Sequence, residues 1–183
     1  MTMSRRTLLA TALVLAPMMA MAQTTPPLTA EQMKYYGTPF QDARFAGFAR
    51  TVNDFELKSS NLALQKSTNE NVRGVAARAT PMFTDANVSL ERNAREAGIT
   101  GVPDEDFKKI ADDAMTQLNS ASGPDFDRMY GTYQLRVLTA AVAQYGAYSQ
   151  DTNVSAPLRR YAQEQFPKMK DALENVTRLT AGK

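Results

Sequence analysis

After residue 40, apolar residues recur along almost the whole chain with the 3.6-residue period of an α-helix. Four long stripes and one shorter stripe predict helices over residues 45–63, 72–97, 107–118, 126–149 and 155–179. Gly98 supplies a helix stop, and the segments 103–105 and 124–125 supply starts that contain proline. No stretch shows the sustained alternation of a strand. The pattern therefore predicts an all-α bundle with short connections.

Two parts of this pattern need separate comment. Residues 23–40 predict a linker and one short helix that opens at Thr29 and ends at Gly37, ahead of a bundle domain over residues 41–180. Within the bundle, Pro81 and Pro167 fall inside helical stripes, and each removes one intrahelical hydrogen bond. We expect these prolines to kink or interrupt their helices.

Residues 1–22 have the three parts of a cleavable export signal. Arg5 and Arg6 precede an apolar run over residues 8–19, and residues 20–22 form an A-x-A cleavage site that predicts Gln23 as the first mature residue. The apolar run is shorter than the roughly 20 residues of a spanning helix. The sequence predicts a periplasmic protein without a membrane span, exported by the general route or, through its paired arginines, by the twin-arginine route.

Composition excludes several functions. The chain has no His and no Cys, so it lacks the residues of serine and cysteine triads, zinc fingers and disulfides. The only two charges within residues 1–22 are arginines, which leaves 19 basic and 19 acidic residues in the mature chain. A neutral domain gives no electrostatic reason to bind nucleic acid. A ferritin-type di-iron centre needs Glu-x-x-His motifs that are absent. We therefore predict no catalytic residue, no metal ligand and no cofactor.

Glu56 is a carboxylate on an otherwise apolar stripe. An ionised carboxylate inside a bundle is costly unless it is paired. One hypothesis makes Glu56 a ligand-binding or proton-transferring group in a core pocket, next to tyrosines on the stripe over residues 126–149. The other makes it a structural residue with a hydrogen-bonding or charged partner. The candidate core polar site for either hypothesis comprises Glu56, Tyr130, Tyr133, Arg136 and Gln144.

Four short motifs resemble those of the DUF4142 family, a bacterial family of exported ferritin-like bundles whose members are described as outer-membrane or periplasmic proteins. The motifs occur in the family's order, at residues 56–63 (ELKSSNLA), 71–76 (NVRGVA), 126–130 (FDRMY) and 166–169 (FPKM). The resemblance implies a ferritin-like four-helix bundle with short extra helices.

The chain departs from the family pattern at three positions. Typical members carry histidines where this sequence has Phe83, Leu138 and Ala172. We expect these three apolar side chains to lie inside the bundle near Glu56, which is the residue of the suspected polar cluster that this chain keeps. The leading functional prediction is a non-enzymatic bundle that binds an envelope partner or contributes to stress tolerance. The alternative is a bundle that binds a small ligand around Glu56 and the tyrosines, and a cavity beside Glu56 would favour this alternative.

Overall fold

The computed structural model describes residues 27–102 and 104–182, so the predicted export signal at residues 1–22 and Pro103 lie outside the described residues. Within those ranges every regular element is an α-helix, which confirms the predicted all-α bundle. The helices are α1 (Ala30–Tyr36), α2 (Asp42–Lys66), α3 (Glu70–Ala97), α4 (Glu105–Ser120), α5 (Gly123–Gln150) and α6 (Ala156–Thr180).

Local sequence signals explain where the helices begin and end. Thr29 and Gln32 form a reciprocal capping box at the start of α1. The Asn69 and Asp104 side chains accept hydrogen bonds from the first backbone amides of α3 and α4. Gly98 ends α3 with φ of 67°, a left-handed conformation that glycine adopts without a steric penalty.

Helices α2, α3, α5 and α6 form a four-helix bundle. Helices α2 and α6 each pack against both α3 and α5, and α4 packs along α2. At one end of the bundle, Asp42 accepts hydrogen bonds from Tyr148 and from the Ser155 amide; at the other, Ser67 donates to Asp127. These contacts show that α5 runs opposite to α2 and α6. Helix α3 also runs opposite to α2, because only residues 67–69 connect the two packed helices. Helix α4 is thus a single long crossover between α3 and α5, the connectivity that ferritin-like folds use.

The expected interruptions at the two prolines do not occur, because α3 continues through Pro81 and α6 continues through Pro167. Both prolines are exposed. The carbonyls that lose their hydrogen bonds belong to Ala77 and Gln163, four residues earlier, and these residues are also exposed. Water can replace the missing donors on this side, so the stripes facing the core keep their helical period.

Helix α5 is buried between its neighbours and contacts α1, α2, α4 and α6. Its glycines mark close helix packing. A Cβ atom at Gly131 would lie 2.9 Å from the Thr180 side chain, and one at Gly146 would lie 3.0 Å from the Phe166 ring. Among the described helices, none has both the length and the apolar character needed to cross a membrane.

Candidate functional site: a pocket that ends at a buried carboxyl group

Glu56 lies in the middle of α2, and its side chain is completely buried. Neither carboxyl oxygen has a hydrogen-bond partner among the described residues. Burial raises the pKa of Glu56 well above its usual range, because the low-dielectric core disfavours the charged form. Gln134 opposes this shift, but its Nε2 donates to Ser59 Oγ at 2.8 Å and makes no well-formed bond to Glu56. Burial of Glu56 without a partner thus favours the neutral carboxylic acid over the carboxylate.

A cavity of about 210 Å³ opens beside this carboxyl group. Its inner end has Glu56 and Gln134, which are buried, and its outer end has exposed residues, so it connects the core with the surface between α3 and α6. The outer residues are Arg78, Lys168, Asp171 and the half-buried Asn175. The walls are apolar and comprise Val75, Ala79, Met82, Phe83, Leu138, Ala172 and Val176.

The structure brings Glu56 together with Phe83, Leu138 and Ala172, the three apolar residues expected near it. Phe83, Leu138 and Ala172 all line the same cavity as Glu56, although they come from three different helices. Phe83 and Leu138 are fully buried, and Ala172 is half-buried. A polar cluster built from these four positions would occupy the centre of the bundle. In this chain, three of the four positions carry apolar side chains.

The partners expected for Glu56 are not its partners. Gln144 instead accepts from the Phe40 amide at 2.9 Å and donates to the carbonyls of Tyr36 and Thr38. Arg136 has a buried Nε without a partner among the described residues. Burial raises the pKa of Tyr36 to about 12, and the charge of Arg136 partly opposes this rise. The expectation of a pair between Glu56 and Gln144 or Arg136 is therefore wrong.

Helix geometry explains this error. On α5 the cavity is lined by Gln134 and Leu138, which are one turn apart. Arg136 lies about 200° around the helix axis from Gln134, and Gln144 lies about 15 Å further along it. A buried polar residue on α5 therefore does not have to face α2 at the level of Glu56.

The tyrosines of α5 do not line the cavity either. The Tyr130 hydroxyl lies 3.3 Å from Ser60 Oγ; burial and the nearby Glu56 raise its pKa. Tyr133 is buried outside the cavity lining. Tyr145 and Tyr148 bond to Tyr161 and Asp42, at 3.2 and 2.5 Å. Phe45 stacks on Tyr148 with ring centroids 3.7 Å apart. The tyrosines are thus structural, and the candidate site reduces to Glu56.

Sequence reasoning missed the rest of the site, which comprises Gln134 and the outer residues. A signal was present, because positions 168, 171, 172 and 175 follow the i, i+3, i+4, i+7 spacing of one helix face. Within the described residues, no group of three or more acidic residues is placed to hold a metal ion. The other acid of the cavity lining, Asp171, is exposed at the outer end, whereas Glu56 is buried at the inner end. The arrangement can donate and accept hydrogen bonds and can enclose a small apolar body.

The family model described as Domain of unknown function (DUF4142) matches residues 23–179, a range that contains every residue of the cavity lining. The chain belongs to this family. The match confirms the DUF4142 resemblance carried by the four short motifs. No curated protein and no solved structure matches the chain.

Proposed function

We propose that this DUF4142 protein is an exported, non-enzymatic bundle that binds a small organic molecule in the pocket beside Glu56. The observation that carries this proposal is a fully buried carboxyl group, without a partner among the described residues, at the inner end of a cavity that reaches the surface. Buried polar groups are normally hydrogen-bonded, and one that is not requires an explanation. A ligand that completes the hydrogen bonding of Glu56 is such an explanation.

The size and lining of the cavity suit a compact ligand. Apolar cavities of about 150 Å³ bind molecules the size of benzene. This cavity is about 210 Å³, and its apolar walls end in a few polar groups, the usual composition of a small-molecule site. The lining favours the ligand-binding hypothesis over the partner-binding hypothesis. Binding of an envelope partner stays a prediction. Glu56 is the one acid at the buried end of the lining, and Asp171 is exposed at the other end, an arrangement that favours binding over catalysis.

A pocket-filling variant tests this proposal. Ala172→Leu adds bulk to a wall of the cavity, whereas Ala77→Leu makes the same change on the exposed side of α3. We expect small compounds to bind the native chain and Ala77→Leu and to shift the methyl resonances of Leu138 and Val176. Ala172→Leu should lose both effects. Compounds that bind Ala172→Leu with native affinity would contradict the proposed site.

Export is a separate part of the proposal. It is supported by the paired arginines, the short apolar run and the A-x-A site within residues 1–22. N-terminal sequencing of the protein recovered from a periplasmic fraction should begin at Gln23. An intact Met1 in a membrane fraction would contradict export with cleavage.

A further inference from the structure

The outer end of the Glu56 pocket carries two cations that lack acidic partners. Among the described residues, neither Arg78 nor Lys168 forms an ion pair with a carboxylate. The nearby Arg178 differs, since it donates to Glu174 at 2.8 Å. Asp171 is the one acidic residue of the pocket's outer end, so this end has an excess of positive charge.

The inner end of the pocket requires a hydrogen-bonding group rather than a counter-charge. Glu56 is fully buried without a hydrogen-bond partner among the described residues, and Gln134, which lines the same pocket, already donates to Ser59. Burial raises the pKa of Glu56 and so favours the protonated form. A protonated carboxyl group in an apolar site donates a hydrogen bond, so the group that meets it must accept one. An ammonium ligand would have to pass Arg78 and Lys168 and would force Glu56 to ionise in the core, with the desolvation of both charges.

We propose that the pocket selects a small organic acid, held by its carboxylate at Arg78 and Lys168 and by an oxygen acceptor that receives a hydrogen bond from Glu56. This inference rests on the proposed function and specifies its ligand class. The compact body of the acid packs between Phe83, Leu138 and Val176. The carboxylate stays at the water-exposed end, where charge is inexpensive, and the neutral oxygen enters the core.

Four probes of similar shape separate these contacts. Para-hydroxybenzoate has both the carboxylate and the oxygen acceptor, benzoate lacks the acceptor, and phenol lacks the carboxylate. Para-hydroxybenzylamine replaces the carboxylate by a cation. Calorimetric titration of the native protein should give para-hydroxybenzoate the lowest Kd, at about 1 mM or below for a ligand of about ten non-hydrogen atoms. The amine should bind most weakly.

Variants of the native chain then test which residues bind each end of the ligand. Glu56→Gln keeps a neutral hydrogen-bond donor and should bind para-hydroxybenzoate within about threefold of native. Glu56→Leu removes the donor and should weaken binding by about fivefold to a hundredfold. Arg78→Gln and Lys168→Gln should each weaken it by about two- to fivefold and leave phenol binding unchanged. Lys109→Gln makes the same change on exposed α4, away from the pocket, and should alter neither ligand's affinity.

The outcomes distinguish the two levels of the proposal. Tighter binding of the amine, together with its loss in Glu56→Gln, would overturn the organic acid and retain a small-molecule site for cations. Unchanged binding of para-hydroxybenzoate in Glu56→Leu would overturn the inner contact. Failure of all four probes, including neutral phenol, would overturn the small-molecule pocket itself.

Discussion

A carboxyl group can remain at the fully buried position of Glu56 because it need not carry a charge. Ionisation in the core would cost far more than burial of the neutral acid, so the protein keeps the proton instead. The retained proton makes the free energy of unfolding of the bundle depend on pH. In the unfolded chain Glu56 ionises at its ordinary pKa, whereas in the folded chain it retains its proton to a much higher pH.

The first prediction concerns this linkage. As the pH rises above about 4.5, the unfolded state loses the Glu56 proton first, so the folded state binds more protons and stability falls. The slope is about 1.4 kcal/mol per pH unit until native Glu56 ionises. Glu56→Gln removes this pH dependence, so its free energy of unfolding relative to native should rise between pH values of about 5 and about 7, by at most about 2.7 kcal/mol. Urea denaturation at several pH values measures it.

Glu31 provides the matched control for this experiment, since it is an exposed glutamate at the start of α1. Glu31→Gln makes the same chemical change without a buried carboxyl group. We expect its stability to follow the native pH dependence. Parallel curves for native protein and Glu56→Gln would show that the folded state ionises Glu56 like an exposed acid.

At the residue scale, the sequence predicts the location of Glu56 but not its surroundings. The apolar stripe of α2 places the side chain toward the core, since position on a helix face depends on spacing alone. The absent partner could not be predicted, because it depends on which of several α5 amides reaches α2. Gln134 does so and is already bonded to Ser59, whereas Gln144 bonds to the segment before α2. Helical spacing does not determine such choices between helices.

At the scale of elements, α4 depends on a charge from another helix. The last turn of α4 contains no basic residue, although its carbonyls carry the negative end of the helix dipole. Lys66, at the end of α2, supplies the cation. Its Nζ donates to the carbonyls of Leu118, Asn119 and Ala121 at 3.2, 2.7 and 2.7 Å. One side chain thus ties the crossover helix to the start of α5.

The second prediction tests this tie. Lys66→Met keeps most of the aliphatic chain and removes the three hydrogen bonds, so we expect a loss of about 1.5–3 kcal/mol in the free energy of unfolding. Lys109→Met removes an exposed ion pair within α4 and should cost about 0.5 kcal/mol or less. Chemical denaturation compares the two variants. Equal losses would mean that the contacts of Lys66 contribute no more than a surface pair.

The third prediction compares Gly74, within α3, with Gly98, the residue that follows its last turn. Gly98 has a φ of 67°, where a side chain is strained, so Gly98→Ala should destabilise by about 1 kcal/mol. Gly74 lies within the helix, and an added Cβ would meet only the Arg78 side chain at 3.6 Å. Gly74→Ala should therefore stabilise by about 0.5–1 kcal/mol. Thermal unfolding should move the two midpoints in opposite directions; a shift in one common direction would contradict the backbone argument.

At the same scale, Pro81 and Pro167 give two conflicting signals about the continuity of their helices. The helical stripes through Pro81 and Pro167 predict continuous faces, while the missing amides predict breaks. The stripes prevail because both prolines face water, which satisfies the freed carbonyls. The solvent-facing side could have been inferred from the same stripes. A lost hydrogen bond interrupts a helix only where water cannot reach the freed carbonyl group.

At the scale of the whole molecule, the segment before α2 packs into the end of the bundle where α2 begins and α5 ends. Tyr36 and Phe40 are buried among Phe48 and Phe107, and Gln144 of α5 bonds to three backbone groups of residues 36–40. From the sequence, residues 23–40 are predicted to form a linker with one short helix, outside the bundle domain. Its apolar side chains are too few to show a periodic stripe, so the sequence could not reveal that this segment completes the core.

The last prediction follows from this packing. A chain that begins at Gln23 retains α1 and should unfold at the same denaturant midpoint as the full chain. A chain that begins at Gln41 loses the burial of Tyr36 and Phe40 and leaves the Gln144 side chain without its three partners. Its free energy of unfolding should fall by more than about 3 kcal/mol, since both apolar contacts and buried hydrogen bonds are lost. Equal midpoints for the two truncated chains would show that residues 23–40 are only a linker, and a lower midpoint for the chain from Gln23 would mean that residues 1–22 contribute to the fold rather than to export.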